Sequence, residues 1–261
     1  MKNRNAKKAD CAGQSVELWN ADGKGQVVLL CEHASHTIPD GYDGLGLRHE
    51  DLRSHAAWDP GARALSVQLS KALDAVLVAS KVSRLVYDCN RPPEDADAMR
   101  VQSELISIPG NVGLSAVDRD VRIRTVYQTF CSTVDDVLDA RGPQTVVVTV
   151  HSFTPVYYGK RRSVEIGLLH DTDSRLADAM LAYTDRVPGV MIERNAPYGP
   201  HDGVTHSLKI HACSRGLANV MIEVRNDLLA TTEQVRDVAH QILTLLLPAL
   251  EEFEFKGNTN A

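Results

Sequence analysis

Cysteines at metal-cage or redox-motif spacing are missing from this chain. Its five cysteines, Cys11, Cys31, Cys89, Cys131 and Cys213, are scattered and form no C-x-x-C pair. That argues against a cysteine zinc cage and a dithiol redox centre, and an odd number makes a poor disulfide framework. No apolar run approaches the roughly 20 residues that span a bilayer. The opening "MKNRNAKKAD" lacks the apolar core of a secretory signal, so the expected location is the cytoplasm, away from membranes. An excess of positive charge is lacking too. The 28 Lys and Arg against 34 Asp and Glu leave a formal charge of -6, which argues against a nucleic-acid partner. There is no G-x-S-x-G nucleophile elbow, and "GYDGLGL" (41–47) spaces its glycines wrongly for a dinucleotide fingerprint. No repeat, low-complexity linker or break in composition divides the chain, and nothing in it fixes an oligomeric state.

What is present is the composition of a soluble globular protein, 43% hydrophobic and 24% charged over 261 residues, enough to bury a sizeable core. A polar lead-in is expected over 1–22 and a single domain over 23–261. Short β-branched runs read as strands: "QVVLLC" (26–31), "VLVAS" (76–80), "RLVYDCN" (84–90), "TVVVTVHSF" (145–153), "SVEIGLLH" (163–170), "GVMIE" (189–193) and "ANVMIEV" (218–224). Apolar residues at helical spacing predict helices over 62–75, 117–139, 173–184 and 231–250, the last capped by Thr231 or Thr232. This alternation predicts an α/β fold, a central mixed sheet flanked by helices.

Ligands in such sheets gather beyond the carboxyl ends of strands, and four predicted strand ends carry unusual polar residues. They are "CEHASH" (31–36), "DCNRPP" (88–93), "HSF" (151–153) and "MIEVRND" (221–227). His33, His36 and His151 are candidate metal ligands, a catalytic zinc needing about three protein ligands and one open position. His49, His55, His170 and His240 read as surface residues. Glu223 sits inside an apolar strand, where a carboxylate is costly without a partner or a task. An ion pair with Arg225, on the same sheet face by period-2 alternation, would be the bland explanation. Asp59 is either a carboxylate ligand or a helix cap ahead of Pro60.

The early "CEHASHTIP", "AAWDPGA", "SRLVYDCNRPP", "IPGN" with "GLS", "HSFTPVYYG" and "IEVRNDL" occur in an order that resembles the N-formylglutamate amidohydrolase family, itself more distantly similar to the zinc carboxypeptidases. The resemblance covers residues 27–229. It implies a carboxypeptidase-like fold, one zinc or other divalent ion, and hydrolysis of an N-acyl amino acid such as N-formyl-L-glutamate, in histidine degradation. It implies His33 and His151 as metal ligands. The carboxypeptidases' H-x-x-E becomes His33-Ala34-Ser35-His36 here, leaving Asp59 or His36 as the third ligand, with Glu32 orienting His33. Glu223 matches the glutamate that activates water and protonates the leaving amine. Asn90 and Arg91 match the pair that holds an α-carboxylate, and Ser152, Tyr198 and Arg225 are the other expected substrate contacts. Arg84, Arg100, Arg161 and Arg162 are candidates for a second carboxylate; His206 and His211 are weaker candidate donors. Two other classes compete: a serine hydrolase using Ser152, and a ligand-binding relative without catalysis.

Overall fold

The structure, a computed structural model, describes residues 15–258. Seven strands form its central sheet: β1 (Val16–Trp19), β2 (Val27–Cys31), β3 (Val76–Ser80), β4 (Val146–Phe153), β5 (Ile166–Leu169), β6 (Ile192–Arg194) and β7 (Asn219–Arg225), in the spatial order β1-β3-β2-β4-β7-β5-β6. The four central strands β3, β2, β4 and β7 run parallel. Antiparallel pairings of β1 with β3 and of β5 with β7 make the sheet mixed, as expected. β1 falls inside the stretch expected to be a loose lead-in. Its residues pair along the edge, Val16 with Ser80 through Trp19 with Leu77. Residues 1–14 of that lead-in, with Cys11, lie outside the described residues.

β2, β4 and β7 are buried along their whole length, which is why they read as continuous apolar runs rather than alternating ones. Successive side chains nevertheless serve opposite cores. Val146, Val148 and Val150 pack with the helices α1 (Ala62–Leu73), α4 (Arg175–Leu181) and α5 (Thr232–Asn258). Val147 packs the other way, with Phe130, Val134 and Leu138. Those three belong to α3 (Gln128–Asp139), which follows α2 (Ala116–Arg122) through a π turn at Ile123–Tyr127, so the helix expected over 117–139 exists with one irregular turn. α5 starts with a reciprocal cap. Gln234 N donates to Thr231 Oγ1 at 3.2 Å and Thr231 N donates to Gln234 Oε1 at 3.0 Å.

One expected strand is absent. "RLVYDCN" is buried but coiled, because its polar groups close on loops instead of a neighbouring strand. Ser83 N donates to Thr37 O at 2.8 Å, Asp88 N to Ala98 O at 2.8 Å, and Asn90 N to the Asp88 carboxylate at 2.9 Å. Leu85, Val86 and Tyr87 are apolar because they fill the core beneath α3. Burial without a ladder looks the same in sequence as a strand.

Candidate metal centre and active site

The parallel strands β2, β4 and β7 end at one edge of the sheet, and their carboxyl ends supply most of the site. The register sets Glu223 directly beside His151, so both side chains leave the same face. Glu32 and His33 follow the last residue of β2. Asp59 arrives from the loop before α1, tied down by Asp59 N donating to His33 O at 3.0 Å and by Ala62 N donating to Asp59 O at 3.1 Å. The turn between them needs glycine. Gly61 has φ +85°, and a Cβ there would stand 2.3 Å from Leu229 Cβ. Because Gly61 holds the cap position of α1, the Asp59 carboxylate is not used as a helix cap and turns inward.

Three ligand atoms converge. His33 Nδ1 lies 3.2 Å from Asp59 Oδ2, His151 Nδ1 lies 3.0 Å from the same oxygen, and the two Nδ1 atoms are 3.2 Å apart. The far nitrogen of each ring faces a carboxylate: His33 Nε2 is 2.7 Å from Asp88 Oδ1, and His151 Nε2 is 3.2 Å from Glu32 Oε2. At His33 the Asp88 carboxylate favours the proton on Nε2 and directs the Nδ1 lone pair inward, while Glu32 stands beside His151 Nε2 as a counter-charge without a hydrogen bond. Two lone pairs and a carboxylate oxygen aimed at one point repel unless a cation lies among them. The donor set, two imidazoles and one carboxylate, suits a divalent transition ion with further positions open. His33, Asp59 and His151 are all buried.

The local electrostatics agree. Burial works against charge on both rings, yet Asp88 and Asp59 push the His33 pKa above its ordinary value, and Glu32 with Asp59 push His151 well above. Burial likewise opposes charge on Asp59, but the Arg84 guanidinium and the histidines hold its carboxyl well below the usual range. The site therefore holds positive charge among its carboxylates, and a metal binding there displaces protons from the rings. Arg84 reinforces the arrangement. Its Nη1 donates to Asp59 Oδ1 at 2.9 Å, and its Nε donates to Ala56 O at 3.0 Å.

These groups line a cavity of about 280 Å³ together with Asn90, Arg91, Arg100, Phe153, Tyr157, Tyr198 and Glu223. That is near the lower limit of about 300 Å³ for small-molecule sites. Glu223 is 5% exposed, its Oε2 has no hydrogen-bond partner, and burial raises its pKa to about 7. Tyr198 reaches the cavity on a loop that crosses Gly167, the β5 residue registered with Glu223; a Cβ at Gly167 would lie 1.9 Å from Ala196 O. Burial first, then Glu223, push the Tyr198 phenol up to about 12. Asn90 and Arg91 line the cavity while pinning the loop opposite in sequence. Asn90 Oδ1 accepts from Ser207 N at 2.9 Å and its Nδ2 donates to Val204 O, while Arg91 Nη1 donates to Gly203 O. Arg91 Nε is buried without a partner.

Several expected contacts go elsewhere. His36 stands against Trp58, ring centroids 5.0 Å apart, in a separate cavity with Arg63 and Lys81, because residues 34–36 turn away from the sheet edge. It is not with the ligand group. Glu32 lies at His151 rather than orienting His33. Arg225 does not reach the cavity, and it is not paired with Glu223. Its guanidinium is held by Asp227 at 2.8 Å, Glu165 at 3.3 Å and the carbonyls of Arg162 and Ser163. Ser152 is at the cavity wall, but its hydroxyl donates to Pro60 O at 2.8 Å. His206 bonds the Tyr127 hydroxyl at 2.8 Å and His211 lies 3.1 Å from Asp135; neither lines the cavity. Among the lining residues not foreseen are Asp88 and His55, the latter expected at the surface. Asp88 had a signal, an acid between an apolar run and Asn90-Arg91; His55 lies in a polar loop that resembles any surface segment.

The N-formylglutamate amidohydrolase family matches residues 25–230. The chain belongs to that family. The crystal structure of the gene product Atu2144 from Agrobacterium tumefaciens is similar at 51% identity with a TM-score of 0.91, covering 94% of this chain and 98% of that one. The N-formylglutamate amidohydrolase of Ralstonia eutropha JMP134 shares the fold at 16% identity, with a TM-score of 0.69 over 92% of this chain and 97% of that one. No curated protein matches the chain significantly. Among the described residues, no helix is long and apolar enough to cross a membrane.

Proposed function

We propose that this family member is a zinc-dependent amidohydrolase that cleaves N-formyl-L-glutamate, or a close N-acyl amino acid, to the acid and the free amino acid. The observation that carries the reading is the convergence of His33 Nδ1, His151 Nδ1 and Asp59 Oδ2 beside the unpartnered Glu223 carboxylate. Bound there, the ion supplies Lewis acidity, polarising the acyl carbonyl and lowering the pKa of water to about 7. Asp88 orients His33 from outside, and Glu32 sets a counter-charge beside His151. Glu223 takes the proton of the attacking water and delivers it to the amide nitrogen as the C–N bond breaks, leaving formate and a free amine. Arg91, with its free Nε, holds the α-carboxylate, and Tyr198, protonated at neutral pH, donates a hydrogen bond across the cavity. A serine mechanism finds no support, since the Ser152 hydroxyl is directed to a backbone carbonyl rather than to a histidine. The Asp59 carboxylate beside the two histidines offers a third ligand, which speaks against a binding protein without catalysis.

The test is formate release from N-formyl-L-glutamate by protein as purified, after chelation, and after zinc is restored. Release is expected in the first and third samples. Release that survives chelation overturns the metal dependence; no release in any sample overturns the substrate. A second result is expected from Asp88→Asn, which weakens the acceptor on His33. Zinc affinity, read by competition with a chromophoric chelator, should fall ~10–100-fold, the usual size for an outer carboxylate.

A further inference from the structure

A charged side chain with no counter-charge stands next to the cavity. The Arg162 guanidinium lies 4.5 Å from the ring centroid of Tyr157, 4.8 Å from that of Tyr198 and 5.5 Å from that of Phe153. All three rings line the cavity, and Arg162 adjoins it through them without itself being a wall residue. Its Nη1 donates to Thr154 O at 3.3 Å, and among the described residues no carboxylate forms an ion pair with it. Aromatic faces hold a guanidinium in place and strip part of its water, yet leave its N–H edge able to take a planar anion through two hydrogen bonds.

The other cations around the site are engaged. Arg84 is held by Asp59, Ala56 O and His55 O. Arg100 lies between Asp97 at 3.6 Å and Asp88 at 4.0 Å. Arg161 is exposed on the hairpin strand Lys160–Arg161. Arg91 is the α-carboxylate partner of the proposed reaction. The backbone at Arg162 is fixed from beneath. Arg162 N donates to Pro155 O at 2.9 Å, and the buried Arg225 donates to the carbonyls of Arg162 at 3.4 Å and Ser163 at 3.3 Å. Glu165 and Asp227 neutralise Arg225, so nothing in this support cancels the charge of Arg162 itself.

We infer that Arg162 is the specificity-determining residue that receives the side-chain carboxylate of the substrate, selecting acidic N-acyl amino acids over neutral ones, with Arg225 as the positioning residue that holds it. This rests on the amidohydrolase reading above and deepens it. Glutamate and glutamine derivatives differ at that carboxylate and nearly nowhere else, which makes them the probe.

The experiment compares Arg162→Met, which keeps an unbranched side chain among the rings and removes the charge, with the wild type. kcat/KM is measured on N-formyl-L-glutamate and on N-formyl-L-glutamine. On the glutamate compound it should fall roughly 30-fold or more, the loss of a charge-assisted hydrogen bond. On the glutamine compound it should stay within about threefold, a control that a general structural defect would not spare. Calorimetric binding of L-glutamate and L-glutamine to both zinc-loaded proteins is the second measurement, and it needs no turnover. Weakened glutamate binding with glutamine binding unchanged supports the assignment even if neither formyl compound is hydrolysed, an outcome that would sink the parent reading alone. Equal changes for both ligands, or none for either, overturn the role of Arg162.

Discussion

Glu223→Gln should lower kcat by ~10² to 10⁴, the usual size of a general acid–base contribution, with zinc content unchanged. The substitution keeps the shape of the side chain and removes its capacity to hold a proton. Glu223 is not among the three converging ligands, so the ion should stay. Turnover near that of the wild type would move the base to another residue. The same variant carries a stability signature. Burial raises the Glu223 pKa from 4.5 to about 7, so the folded protein holds this proton more tightly than the unfolded chain. Its contribution is fully present below pH 4.5 and is lost as pH rises to about 7. Glutamine has no such loss. After chelation, the stability of the variant relative to the wild type, followed through Tm, should therefore climb across that window and level off above it, a gain in unfolding free energy of at most about 3 kcal/mol. A difference in Tm that is flat with pH would mean that Glu223 titrates normally.

His151→Ala should remove nearly all zinc from the purified protein, while His36→Ala leaves it at the wild-type level. The contrast follows from geometry. His151 Nδ1 is 3.0 Å from Asp59 Oδ2, whereas His36 faces Trp58 in a different cavity. Loss of a direct ligand should exceed the ~10–100-fold typical of an outer partner. The change also leaves Glu32 buried beside a gap, and an orphaned buried charge costs about 3–5 kcal/mol unless it takes up a proton. Metal analysis is therefore paired with circular dichroism, which separates loss of the ligand from loss of the fold. A folded His151→Ala protein that retains zinc would remove His151 from the site, and a folded His36→Ala protein that loses zinc would reverse the assignment of the third ligand.

How much of this could be read from sequence depends on whether a residue works in its own element or across elements. The buried strands, α1, the α2–α3 helix and the Thr231 cap were legible because periodicity and capping are local. His151 and Glu223 were legible for a related reason: a polar residue in an apolar strand stands out wherever it occurs. The coiled course of 84–90 was not, since burial makes a segment apolar whether or not it joins a ladder. Nor was the fate of Arg225. Alternation put it on the face of Glu223, but its partners Glu165 and Asp227 are fixed by how the 162–165 segment crosses the end of β7. The choice between Asp59 and His36 stayed open for the same reason. It turns on the direction in which the eight-residue loop 32–39 leaves β2, and on a left-handed glycine that aims Asp59 inward.

The double duty of β4 and β7 divides their residues by what a substitution would disturb. Val148, Val150, Ile222 and Val224 answer to the packing of α1, α4 and α5; His151 and Glu223, the next residues along, answer to the reaction. Changing the first set alters how firmly the platform is built, and changing the second alters what is done on it. A different chemistry could thus be written at positions 151 and 223, near the carboxyl ends of these two strands, with the valines and isoleucine left to hold them in place.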